Sequence, residues 1–366
     1  MDAKSLKVHI VGGGVSGLVA AQVLEKHGLI PIIIEATDRV GGRLKTDIID
    51  GFQLDRGFQV LLSSYSAAKK YLDYKALDLQ KLKAGSCIFI NGKQKFFGDP
   101  LRDFTLFFPT LFSGIGNMSD KIKIAKLNFS LQKKTIVEIF EGDEITTKQY
   151  LDNLGFSKNI IQKFFLPFFS GIFLENSLKT PSRMFEFVFK MFGEGLGVLP
   201  KGGIEDISKQ LKEKLQSTEI HYNTLVSKVK NKVITLSNGK KIESHYVIIA
   251  AEPSSLVENL KNQQIDWKSC ENLYFTCANR VYDKAFIGLI ANKESLINNI
   301  FYPTSLKTIQ RGISDLISVT VVKEHGLSDK DLINQVKVEL KKECKIEDAR
   351  FLKLYNIPKA LPDINN

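Results

Sequence analysis

The chain has few of the residues that build metal centres and hydrolytic triads. Its 366 residues include four cysteines, five histidines and one tryptophan. Cys87, Cys270, Cys277 and Cys344 form no C-x-x-C pair, which argues against zinc and against a redox dithiol. Scattered single cysteines fit a reducing cytoplasm. His9, His27, His221, His245 and His325 lie far apart and match neither H-E-x-x-H nor a triad, so each reads as structural or exposed and no metal is expected. No apolar run reaches the ~18 residues of a membrane-spanning helix. Met1 to Ser5 runs straight into an apolar strand, so no signal peptide is read and the expected location is cytoplasmic. Repeats, low-complexity tracts and Gly/Ser linkers are also missing, which excludes solenoid and fibrous classes.

Charge excludes less. The balance of 51 Lys and Arg against 40 Asp and Glu gives a net +11, which admits an anionic partner. The lysines are spread out, densest at Lys133-Lys134, Lys228 to Lys232 and Lys341-Lys342. No basic stripe alternates with aromatics, so nucleic acid is not expected. Two readings stay open: lysine-rich solvated faces, and a peripheral contact with a membrane surface.

The informative stretch lies near the start. Lys7 to Val11 is an apolar strand, followed by Gly12-Gly13-Gly14-Val15-Ser16-Gly17, an apolar helix over 15–27, and a second strand ending at Glu35, 21 residues after Gly14. In this order a G-x-G-x-x-G specifies a dinucleotide site. Gly12 permits the sharp turn, Gly14 lets a pyrophosphate approach the backbone, and Gly17 lets the helix pack closely. The helix N-terminus offers unpaired N–H groups to phosphate. Leu18, Ala21, Val23 and Leu24 make its apolar face, and Gly28 closes it. Glu35 can accept bonds from ribose hydroxyls and would repel a 2′-phosphate, which disfavours NADP. NAD and FAD both remain. Val40-Gly41-Gly42-Arg43 favours FAD, because a second glycine pair beside an arginine allows backbone approach and a bidentate phosphate contact.

Together with Gly51 to Gln59 (GFQLDRGFQ), these elements resemble the flavin-containing amine oxidase superfamily, which includes amine oxidases, protoporphyrinogen oxidases and phytoene-desaturase-like enzymes. The matching pieces are GGGVSG, IIIEA, RVGGRLKT, GFQLDRGFQ, LPKGGIEDI and YVIIAAEP. PFFSGIFLE and YNIPKALP match the desaturase-like branch, and the resemblance spans 5–362. It implies an α/β fold: a Rossmann-like, three-layer FAD-binding domain with a parallel sheet, interleaved with an α+β substrate domain. The FAD-binding domain is expected over 1–75 and 196–255, and the substrate domain over 76–195 and 256–362. The cofactor is expected to be FAD. Its contacts are expected from Gly12, Gly14, Val15, Ser16 and Gly17, from Glu35, Ala36, Gly42 and Arg43, and from Gly57, Phe58 and Val226. Val226 is carried over by position as a backbone contact to adenine. Pro200 to Gly203 resembles the loop that approaches the flavin ring. Asp206 reads as a helix-dipole residue.

The rest of the chain organises around these motifs. Gly85 to Ile90 and Lys93 to Phe97 read as a hairpin on Asn91-Gly92. Asp99 to Gly193 is mostly helical. Ser119 is expected to cap a helix through Lys134 with Ile122, Ala125, Leu127 and Leu131 apolar, and Thr146 or Thr147 to cap the next. A further helix is read over 158–165. After helix 204–215 come strands at Ile220 to Tyr222, Val226 to Val229 and Lys232 to Leu236, then a buried parallel strand at Tyr246 to Ala251. Leu273 to Thr276, Ala285 to Ile290 and Leu316 to Val322 read as strands, and 328–343 as an amphipathic helix. Phe164 to Leu174 is strongly aromatic but interrupted by Pro167, and reads either as core or as an apolar tunnel. Leu101 to Phe112 reads as an apolar mouth or membrane-contacting surface.

The resemblance implies hydride transfer from a hydrophobic or amine small molecule to FAD, with no general base identified. Lys284 does not match the motif of the amine oxidases' flavin-side lysine. Superfamily members close with a Gly-Asp-containing strand–helix element that secures the flavin half, and the sequence ends at Ala360 to Asn366 without it. The alternative expectations are therefore a C-terminally truncated, non-catalytic flavin-binding remnant and, third, an NAD-dependent dehydrogenase.

Overall fold

The computed structural model describes residues 6–100, 102–263 and 265–364. Met1 to Ser5 and Leu101, on which two of the readings above rest, lie outside the described residues. The chain divides into two compact units, one of residues 1–47, 67–78 and 202–266, the other of 48–66, 79–201 and 267–366.

The first unit is built on a four-stranded parallel sheet. Strand Val8–Val11 pairs with Pro31–Ile34 on one side and Tyr246–Ile249 on the other, and Glu219–His221 adds outside Pro31–Ile34. The central strand is buried throughout, as a strand covered on both faces must be. Helices Val15–Lys26 and Asp206–Glu213 form one layer, joined where the Gln22 amide donates to the Leu211 carbonyl at 2.8 Å. Opposite, a three-stranded antiparallel meander (Val226–Lys230, Val233–Leu236, Lys241–Glu243) buries Val226, Val229 and Ile234 against Val11 and Ile34. The unit is the expected three-layer α/β arrangement.

Two details of this unit differ from the sequence reading. Gln22, not Val23, lies on the buried helix face; Val23 is exposed. Tyr246–Ile249 is an edge strand with Tyr246 57% exposed, because among the described residues nothing pairs beyond it in the sheet. The helix ends as expected. Gly28 takes φ +76°, and the N–H of Leu29 donates back to Leu24.

The second unit centres on a seven-stranded sheet in the order Arg350–Pro362, Trp267–Cys277, Asp315–Val321, Ile297–Phe301, Ile287–Ile290, Gly85–Ile90 and Lys93–Gly98. All pairs are antiparallel except Ile287–Ile290 with Gly85–Ile90. Asn91 and Gly92 both have positive φ, as a tight hairpin turn requires. Helix Asp329–Cys344, capped by Ser328, buries Leu332, Val336 and Leu340 against one face. The helical insertion covers Ile88, Phe97 and Leu289. Phe52 and Leu54 pack on Tyr274 and Leu316. Residues 48–66 and 196–201 therefore group with this unit, and 256–266 with the first, where the sequence reading divides them otherwise.

Within the insertion, Asn117 and not Ser119 caps helix Met118–Lys133, through a capping box with Asp120. The helix turns Leu127 and Leu131 inward but leaves Ile122 half exposed and Ala125 on the outside. Thr146 caps Thr147–Asn153, while Thr147 is fully buried and donates to the Thr180 carbonyl. Pro167 does not interrupt its segment. A π turn over Ile161–Phe165 precedes Leu166–Phe173 and places Pro167 near a helix start, where its missing N–H costs nothing. Phe165, Phe169 and Phe185 are fully buried with ring centroids 4.7–6.4 Å apart, so this stretch is a domain core.

Candidate cofactor site

The glycine turn of the first unit is shaped by backbone contacts that side chains would block. Gly12 adopts φ +107° and its N–H donates to the Ile34 carbonyl at 2.9 Å. A Cβ on Gly17 would stand 2.0 Å from the Gly12 carbonyl oxygen, so the helix can approach the strand only with glycine there. Gly14 differs. A Cβ there would meet only the Cα of Gly42, 3.9 Å away. Gly14 is also the N-cap of Val15–Lys26, with no side-chain cap and no acid in the first turn. Open space in front of uncapped N–H groups suits an anion. Val15 and Ser16 open the helix, and Ser16 is exposed.

Glu35 is 6% exposed and already engaged. Its Oε2 accepts the Gly13 N–H at 2.6 Å and its Oε1 the Thr37 N–H at 2.9 Å, with the Thr37 hydroxyl at 2.7 Å. A carboxylate has about four lone-pair sites, so capacity for a hydroxyl donor remains. Ala36 is exposed beside it. The Thr224 N–H donates to the Glu35 carbonyl at 2.9 Å, which brings Val226 near this strand end. The Val226 side chain itself is core, against Val11 and Ile34.

The second glycine pair faces the first. Gly41 bridges to Gly14, its N–H donates to the Gly13 carbonyl at 2.9 Å, and a Cβ on Gly42 would lie 3.4 Å from the Gly14 Cα. Gly41 (φ +123°) and Gly42 (φ +58°) both need glycine's freedom. Arg43 follows and is exposed. The fit to an ADP-containing cofactor rests on this pair of turns: two side-chain-free backbones enclosing an uncapped helix start, with a carboxylate at the strand end.

Sequence reasoning missed what holds the second turn. Arg39 Nε pairs with Glu205 at 2.7 Å and its NH2 group with Asp47 at 2.8 Å. Burial opposes the Arg39 charge, but Asp47 and Glu205 outweigh it and keep the guanidinium above its ordinary pKa. Glu205, 4% exposed, also accepts the Thr46 N–H at 3.1 Å. The signal was present, since Arg39 and Glu205 lie inside the RVGGR and GGIED motifs, but their pairing spans 166 residues. Gly202 has its own reason: a Cβ there would sit 1.9 Å from Asp206 Oδ2.

In the second unit Gly57 has φ +95° and faces Ile357, whose Cδ1 would be 2.8 Å from a Cβ at that position. The Phe58 ring centroid lies 5.0 Å from that of Phe301, the two rings tilted by 34°. The carbonyl of Asp55 accepts the Tyr274 hydroxyl at 2.8 Å. The Lys201 carbonyl is pinned by Gln53 Nε2 at 3.0 Å and the Ile309 N–H at 3.1 Å. Arg56 is exposed, as is Lys284, whose Nζ lies 3.5 Å from the Thr105 hydroxyl.

Comparison with known proteins bears on family and fold. A flavin-containing amine oxidase of Oncorhynchus mykiss is 56% identical over 39 residues, 11% of this chain and 8% of that protein. The first curated relatives are matched over only 7–12% of their own length. An L-amino-acid oxidase of Pseudechis australis is 21% identical over 396 aligned positions, covering 96% of this chain and 72% of that one. Among solved structures, an oxidoreductase from Methanosarcina mazei superposes with a TM-score of 0.72 at 17% identity, covering 96% of this chain and 87% of the other, and shares the fold. The family profile extends over residues 15–352, and the chain belongs to the flavin containing amine oxidoreductase family, whose cofactor is FAD.

Proposed function

We propose that this chain is an FAD-dependent oxidoreductase that takes a hydride from a C–H bond of an uncharged, largely apolar substrate. The observation that carries it is the pair of opposed turns, Gly14 against Gly42, with the Glu35 carboxylate at the adjoining strand end. FAD, when bound, supplies the redox chemistry by accepting the hydride. The chain's residues do the rest. The uncapped N–H groups from Val15 onward and Arg43 hold the diphosphate. Glu35 accepts a ribose hydroxyl, and its charge rejects a 2′-phosphate. Val226 offers backbone to the adenine. On the family pattern Gly57 and Phe58 serve the flavin half.

The apolar reading is preferred to an amine because PFFSGIFLE and YNIPKALP match the desaturase-like branch, and because Lys284 does not match the flavin-side lysine motif of the amine oxidases.

The test is anaerobic reduction. Purified chain is loaded with FAD, and bleaching of the flavin band is followed on adding isoprenoid hydrocarbons, long-chain alkenes or primary amines. Bleaching by the apolar set supports the proposal. Bleaching by amines alone overturns the substrate class. A folded chain that retains no FAD overturns the cofactor assignment.

A further inference from the structure

The segment from Phe104 to Lys134 presents an apolar surface to solvent, and its inner contacts show that this is how the segment is built. Leu106 and Thr110 face inward, 3% and 7% exposed, and the Thr110 hydroxyl both accepts the Gly98 N–H at 3.0 Å and donates to the Gly98 carbonyl at 3.1 Å. That anchoring turns Phe104 (77% exposed), Phe107, Phe108 (63%) and Phe112 (73%) outward. The four rings touch in series, Phe104 to Phe107 at 5.9 Å, Phe107 to Phe108 at 5.2 Å and Phe108 to Phe112 at 6.4 Å. At about 200 Å² per ring, they leave roughly 500 Å² of apolar surface in water, as large as the largest patch on an ordinary monomer.

Helix Met118–Lys133 continues the surface. Met118, Ile122, Ala125 and Phe129 recur at four, three and four residues, which is one helix face, and all four are exposed. Lys121 Nζ donates to the Leu111 carbonyl at 2.9 Å and ties this helix to the phenylalanine segment. Charge on the segment is one-sided. Lys121, Lys123, Lys126 and Lys133 share the segment with a single acid, Asp120, which is buried and bonded to Ser157 and Asn117, while Lys134 at its end pairs with Glu186 at 3.0 Å. Lys126 is exposed beside the stripe, and Lys133 lies 4.2 Å from the centre of the Phe129 ring. Acids return only at Glu138 and Glu141, on the next helix.

We propose that this surface seats on an anionic lipid bilayer, with the four phenylalanines at the acyl boundary and the lysines among the headgroups. Protein interfaces deplete lysine, whereas in-plane membrane helices combine lysine with phenylalanine on one element. Among the described residues no helix is long and apolar enough to cross a membrane, so the contact is peripheral. It does not depend on the flavin reading.

The experiment is vesicle flotation of the full chain with phosphatidylcholine alone and with added phosphatidylglycerol, at low and high salt. Binding to the anionic vesicles that weakens with salt is expected. The double variant F108S/F112S should reduce binding about tenfold or more, and K126E about tenfold, both with unchanged circular dichroism. Absence of binding to anionic vesicles overturns the proposal. So does a parent chain that is dimeric in sedimentation velocity and becomes monomeric in F108S/F112S without any vesicle binding, since the patch would then be a contact between copies.

Discussion

The Glu35 carboxylate accepts the N–H of Gly13 at 2.6 Å, so the acid at the end of the second strand and the turn after the first form one unit of structure. Glu35→Gln keeps the shape but removes the charge and turns one acceptor into a donor. FAD affinity should fall tenfold or more, the loss expected when a charge-assisted bond of about 1.5–3 kcal/mol is removed. Titration of apo-chain with FAD by fluorescence quenching checks it. An unchanged affinity would remove Glu35 from the site.

Gly14→Ala and Gly17→Ala should separate binding from folding. Gly14 has extended backbone, φ −74° and ψ −179°, and a Cβ there has 3.9 Å to its nearest neighbour. Its alanine variant should keep the urea midpoint and lose cofactor uptake. Gly17→Ala forces a Cβ to 2.0 Å from a carbonyl oxygen and should cost about 1–3 kcal/mol or more of stability. If the two variants behave alike in both assays, the division of roles is wrong.

Glu205→Gln should loosen the second glycine turn. It weakens the 2.7 Å pair with Arg39 and the bond from the Thr46 N–H, both at a buried carboxylate. A loss of about 2 kcal/mol in urea unfolding is expected, with weaker FAD retention as a consequence. Arg39→Lys should recover only part of the parent behaviour, because one ammonium cannot reproduce the fork that meets Glu205 and Asp47.

The cysteines should be inert in the folded chain. Burial pushes the thiols of Cys87, Cys270 and Cys277 from the ordinary 9.0 up to about 12, and Cys344 is raised as well. Thiol reagents at pH 8 should label none of the four until denaturant is added; rapid labelling of any one contradicts the packing. The same shift fixes a sign. A folded-state pKa above the unfolded value gives a contribution that is intact below pH 9 and lost as pH rises towards 12. Alkaline unfolding should therefore begin above pH 9, and substitution of Cys87 by alanine should blunt it.

Local rules made much of this protein legible from its sequence. The glycine turn, the helix closed by Gly28, the Asn91-Gly92 hairpin and a threonine cap at 146 or 147 each depend on a few neighbouring residues, so spacing alone reveals them. Asn117 displaced Ser119 as a cap because Asp120 could complete the reciprocal pair and bond Ser157 as well. Strand Ile297–Phe301 was not read, since Asn298 and Asn299 disfavour strands; Asn299 is held there by Thr320 across the sheet. Which face of Met118–Lys133 is buried, how the chain passes Pro167, and the Arg39–Glu205 pair were likewise decided only in three dimensions. In each case the deciding partner lies far along the chain, and burial, not local preference, selects the arrangement. Sequence by itself determined the family, the cofactor class and the shape of the glycine turn; tertiary structure decided what braces the second turn and which apolar residues were left facing water.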